Sequence, residues 1–253
     1  MDLVTGATAK TAGRDHVQIV TEKMRVLIVA GIPAGALLVG FGSRVAMFIL
    51  RVTSPGNVHG VKSDDGFIIG QVTLKGTYNL VGLGAVVGII GAAAYMFVSP
   101  WLIGPLWFRR LTTGLAAAVV VGSMLIHADG IDFNLLKPTW LAIALFVALP
   151  GLFGTFIGTF VDAVRRPDSW TVRGRRRWTL AVLCVACVPV TLLPLAFAFI
   201  VVLLWHVVIE VGLVRMLRRI PGYALVVRSV WMLIAVAGLL ALLSDIDAIM
   251  SVN

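Results

Sequence analysis

Apolar residues along this chain come in long blocks, without the alternating or three-to-four spacing of a soluble fold. Five blocks stand clear, at 26–50, 77–98, 111–127, 139–161 and 223–243, each bounded by polar or Pro/Gly-containing segments. A bilayer core of about 30 Å is crossed by about 20 mostly apolar helical residues, so each block predicts a transmembrane helix. Arg44 interrupts the first block, and Arg228 lies near the start of the last.

Between the fourth and last blocks, residues 179–214 form a single apolar run broken only by His206 and Glu210. As one helix it would be roughly 54 Å long, which overshoots the hydrocarbon core. Pro189 and Pro194 sit near its middle and favour a break there, so two short spans joined around 190–195 are the better expectation. The fold class expected is therefore all-α, a polytopic transmembrane bundle of seven spans.

Basic residues accumulate in cytoplasmic loops. With seven spans and the N-terminus inside, fifteen of the twenty-one Lys+Arg fall on the cytoplasmic side, in the clusters 10–25, 109–110, 165–177 and 215–219. Only Arg51, Lys62, Lys75 and Lys137 fall outside. Fusing 179–214 into one helix would move Arg215, Arg218 and Arg219 out and weaken that bias. The expected layout is a cytoplasmic polar tail 1–25, a membrane domain 26–243 with an outer loop 51–76 and a basic inner loop 162–178, and a short outer tail 244–253. The first block is too long for a cleaved signal peptide and reads as a signal anchor.

Composition agrees: 59% of residues are hydrophobic and 13% charged, against about 45–50% and about 25% in soluble domains. The net charge of +9 would suggest nucleic acid in a soluble protein, but sorted by loop it is an orientation signal. No nucleic-acid partner is expected. The arginine-over-lysine bias with abundant Ala, Val and Gly suggests a bacterium of high genomic GC content, with the protein in its cytoplasmic membrane.

Trp101, Trp107, Phe108, Trp170 and Trp178 are expected at the inner interface, and Trp140 at the outer one. Small-xxx-small pairs at Gly31/Gly35, Gly84/Gly88 and Gly154/Gly158 let helix backbones approach closely, either within one bundle or across a homo-oligomer seam.

Few residues suggest chemistry. Glu210 and Arg228 each lie about five residues from a cytoplasmic helix end, so both sit roughly 7–9 Å deep and can pair. An intramembrane charge marks an ion or proton path by default, and His206 would extend it; the competing reading is a structural pair, with Arg228 snorkelling to the interface. Arg44 belongs near the outer headgroups. Cys184 and Cys187 spell CVAC inside an apolar run without a neighbouring base, which favours packing over redox work.

On the outer face, Asp64, Asp65, His127, Asp129 and Asp132 offer oxygen and nitrogen ligands for a divalent cation, although Asp-Gly is equally a turn dipeptide. Residues 58–74 suggest a small hairpin turning at Asp65-Gly66. Inner-loop arginines can hold anionic lipid headgroups. No GxxxxGK[ST], HExxH or GxSxG motif occurs, and the last span has no lysine for a retinal Schiff base. No cofactor is expected.

The function expected is a non-catalytic component or accessory subunit of a membrane complex, with a membrane-protein partner or a second copy beside it. The alternative is a small-solute or ion transporter using Glu210, Arg228 and His206. An outer-face enzyme is the weakest reading.

Overall fold

The computed structural model describes residues 20–55, 73–127, 133, 136–169, 196–197, 199–202, 204 and 221–252. Among the described residues the chain is helical and contains no strand. Five helices are long and apolar enough to cross a membrane: α1 (Val20–Thr53), α2 (Leu74–Val98), α3 (Leu106–Leu125), α4 (Thr139–Arg165) and α5 (Tyr223–Val252). The protein is a multi-pass membrane protein, all-helical among the described residues. The hairpin expected near Asp65 and most of 179–214, with Cys184 and Cys187, lie outside the described residues.

Each helix contains most of its sequence block, but the ends differ because backbone hydrogen bonding carries a helix beyond the hydrocarbon until local chemistry stops it. Thr73 caps α2, accepting from the Gly76 N–H at 3.1 Å. Pro105 and Pro138 precede α3 and α4. α4 runs on to Arg165, so Asp162 is a residue of its final turns and not of a loop.

The largest difference is at the C-terminus, where residues 244–252 continue α5 in place of the expected tail. Leu242, Ile246 and Ile249 form a stripe of helical spacing, and Leu242 and Ile249 are buried against Leu50, Ile126, Phe133 and Ile143. That stripe keeps the helix docked well past Leu243.

Lipid tails are as apolar as leucine, so helices here associate through close packing and not through a hydrophobic drive. Gly31 and Gly35 of α1 meet Gly88 and Gly84 of α2 backbone to backbone. A Cβ on Gly35 would lie 2.0 Å from the Gly84 carbonyl oxygen, and one on Gly88 would lie 1.9 Å from that of Gly31. Gly154 of α4 packs in the same way on Thr113 and Gly114 of α3, while Gly158 lies against the Tyr95 ring. These glycines serve packing within the chain.

α1 carries a further irregularity. Two π-helical stretches, Leu27–Gly31 and Gly35–Phe41, flank the α-helical turn around Pro33. Proline removes a ladder donor, and wider turns are one way the freed carbonyls find partners inside lipid.

Two apolar clusters hold the ends of the bundle. One joins Val26, Ala30 and Ala34 of α1 to Ile89 and Tyr95 of α2 and to Phe153, Ile157 and Val161 of α4, and Val202 is buried in it. The other is the cluster around Leu50 and Ile143. Beside it, the buried Ser54 hydroxyl donates to the Lys137 carbonyl and accepts from the Lys137 N–H, both at 3.1 Å. This clasp ties the end of α1 to the start of α4.

Candidate functional site

The five helices divide into two sets. α1 packs along α2, and α5 packs along α3, whereas α2 and α3 make no substantial contact with each other. α4 is the described helix that packs on both sets. A lateral groove of about 1620 Å³ opens between the sets, floored by α4 residues such as Phe146, Phe153 and Ile157 and walled by α1 and α5. Small-ligand pockets run to about 1000 Å³.

α5 borders the groove because it is held only along part of its length. Gly238 packs on Val120 of α3, and Leu242 and Ile249 are buried at the far end. At the near end Tyr223 stacks edge-on against Trp101, with ring centroids 6.3 Å apart. Between these anchors, Leu225, Arg228 and Met232 line the groove.

The groove is apolar along its middle and polar at both ends. Arg44, Arg51 and Asn79 stand at one end, where the Arg44 guanidinium lies against Gly76 in the first turn of α2. Tyr95, Trp101 and Arg228 stand at the other.

At the Trp101 end, helix C-termini leave carbonyls without intrahelical partners, and arginines supply the donors. Arg228 donates through Nε to the Trp101 carbonyl at 3.1 Å. The Arg109 guanidinium donates to the Ser99 carbonyl. Arg25 donates to the Val164 carbonyl near the end of α4 at 3.5 Å and pairs with Glu22. Cations at helix C-termini also offset the negative end of the helix dipole. Two arginines that loop counting explains as orientation signals, Arg25 and Arg109, are therefore also caps, as is the span residue Arg228.

A second polar contact is set deeper. The Tyr95 hydroxyl donates to Asp162 Oδ2 at 3.0 Å, joining α2 to α4 across the bundle. Its signal was present in the sequence: Tyr95 lies three residues before the end of the second apolar block and Asp162 one residue after the fourth. Depth matching would have paired them had Asp162 not been assigned to a loop.

The expected site residues fare unevenly. Arg228 lies on the groove rim, bonded to Trp101, while Glu210 and His206 lie outside the described residues. Of the five outer-face cation ligands only His127 is described, and it is exposed; Asp64, Asp65, Asp129 and Asp132 are not described. Among the described residues, no group of three His, Cys, Asp or Glu could hold a metal. Trp107 and Trp140 are exposed as expected for interfacial tryptophans, but Trp101 is 8% exposed and packs on Phe97 at 4.9 Å. It belongs to the packing at the groove end and not to a lipid-facing belt.

Neither a protein family, a curated protein nor a solved structure matches this chain.

Proposed function

We propose that the protein is a non-catalytic component of a membrane complex, receiving a transmembrane helix of a partner on the free face of α5. The observation that carries this reading is the second apolar stripe of α5. Opposite its docked residues, Val226, Val230, Leu233, Ala237 and Leu240 follow one another at spacings of four and three, the seam pattern of paired helices. Val226, Leu233 and Leu240 are 61%, 67% and 63% exposed. Only 6% of the most apolar window of α5 is buried, against 17–39% for the other four helices. Lipid tolerates such a face, but the small Ala237 at its centre suits close helix approach.

A photo-crosslinking residue at Leu240, activated in native membranes, should yield one discrete protein adduct. The same residue at the exposed, lipid-facing Leu115 of α3 should yield none. Equal labelling at both positions, or lipid adducts alone at Leu240, would overturn the docking role.

The seven-span layout, with the N-terminus in the cytoplasm and the protein in the cytoplasmic membrane, belongs to the same reading. Two observations support it. Arg25 reaches Val164 at the end of α4, and Arg228 at the start of α5 reaches Trp101, so α4 ends and α5 begins at one end of the bundle. An even number of crossings in 170–220 satisfies that parity, and a single crossing does not. A reporter active only in the cytoplasm, fused after Asn253, should be silent, and activity would reverse the orientation.

A further inference from the structure

We propose that the groove binds one anionic phospholipid, its phosphate held by Arg228 at the Trp101 end and its acyl chains lying along the apolar floor toward Phe146. The site meets the partner-docking stripe on α5 at Leu233, which lines the groove, but it does not rest on that stripe.

Three observations converge. The volume of about 1620 Å³ exceeds what small-molecule pockets offer and suits a two-chain amphiphile. Its lining is apolar for most of its length. Its chemistry is graded along that length, as a lipid's is: Phe146, Leu149 and Phe153 in the middle, then Thr112 and Thr113, then Arg228 and Ser229 at the rim. The two threonines already donate to backbone carbonyls of their own helix, so they present mainly methyl groups and do not demand a polar occupant.

Arg228 is suited to a phosphate. Among the described residues its Nε is the donor engaged, with the Trp101 carbonyl, and a guanidinium has four further N–H donors in a planar fork that matches phosphate oxygens. The Trp101 carbonyl fixes the fork at the groove mouth.

Charge complementarity selects an anionic lipid over a zwitterionic one. Around this end the described helix termini present Lys23, Arg25, Arg109, Arg110, Arg165 and Arg166 against Glu22, Asp162 and Asp168, leaving a positive surface before Arg228 is counted. Each basic residue near a headgroup favours an anion by enough to shift occupancy about fivefold.

Delipidated full-length protein in detergent, titrated with phosphatidylglycerol or phosphatidylcholine of identical acyl chains and read by native mass spectrometry, tests this. The protein should retain phosphatidylglycerol at least about fivefold better than phosphatidylcholine. Arg228→Gln should lower that ratio about fivefold relative to the unaltered protein, and Arg228→Lys, which restores the cation, should keep the preference. The ratio is internal to each variant, so a loss of stability does not imitate the result. Ala116→Trp, which fills the groove from an exposed lining position, should lower retention of both lipids. Equal retention by the unaltered protein, or an unchanged ratio in Arg228→Gln, would overturn the headgroup assignment. Unchanged phosphatidylglycerol retention in Ala116→Trp would place the lipid on the basic surface and overturn the groove. A polypeptide that must be stripped before lipid binds would do the same.

Discussion

Replacing Gly88 with valine should abolish the folded bundle: little protein accumulates in the membrane, and what is extracted elutes as aggregate on gel filtration. Even the first added carbon would sit 1.9 Å from the Gly31 carbonyl oxygen and 2.8 Å from the Gly35 Cα. Both obstacles are backbone of a helix that packs along α2 at Gly84 as well, so neither can move without parting the α1–α2 contact. Overpacking a core typically costs about 1–3 kcal/mol when side chains can shift; here none of the obstructing atoms belongs to a side chain, and the cost should exceed that range. Gly122→Ala is the matched control, since its Cβ would meet Leu242 and Val147 side chains at 3.6–3.9 Å, an ordinary contact. That variant should keep the wild-type thermal midpoint. A well-folded Gly88→Val protein would mean that α1 and α2 do not touch through these glycines.

The Tyr95–Asp162 hydrogen bond should give the next largest effect. A double-mutant cycle of Tyr95→Phe and Asp162→Ala, read by denaturation in mixed micelles, isolates the pair from each residue's other contacts. A hydrogen bond to a charged acceptor contributes about 1.5–3 kcal/mol in soluble proteins. Side-chain hydrogen bonds in membranes average nearer 0.6 kcal/mol, because the unfolded helices also find partners. Tyr95 is buried, while Asp162 is half-exposed at a helix end where water is near. The membrane figure therefore governs, with a coupling of about 0.6 kcal/mol expected. Strict additivity of the two single variants would show that the hydroxyl and carboxylate do not interact.

Much of the fold could be read in the sequence, for a reason particular to lipid. A crossing must be apolar for about twenty residues, and few other structures impose so long a pattern. Hence all five long blocks are helices, and the glycine pairs mark contacts between them. The helix ends were less legible, because stopping a helix outside hydrocarbon depends on caps and neighbours: Ile246 and Ile249 are ordinary apolar residues until Leu50 and Phe133 come to lie beside them.

The groove was not legible at all, since it arises from two helices that fail to meet. Arg228 shows the limit most plainly. Its depth suggested a charged partner one loop away, Glu210, which lies outside the described residues; the acceptor it reaches among the described residues is a backbone carbonyl, a group that every residue carries and that no residue pattern therefore marks. Trp101, Ser99 and Val164 became acceptors only because their helices end there.

The division into two helix sets joined through α4 also has a mechanical meaning. The halves share one spine and are tied again at the ends, where Arg228 and Tyr223 hold Trp101, Arg109 holds Ser99, and Leu242 and Ile249 pack with Leu50, so the softest coordinate is the separation of α2 and α3 at mid-length. Opening or narrowing the space between α2 and α3 leaves the glycine contacts of α1 with α2 and of α3 with α4 intact and spares the backbone ladders. Such a shape responds to sideways squeeze from the surrounding bilayer more readily than to stretch along the membrane normal.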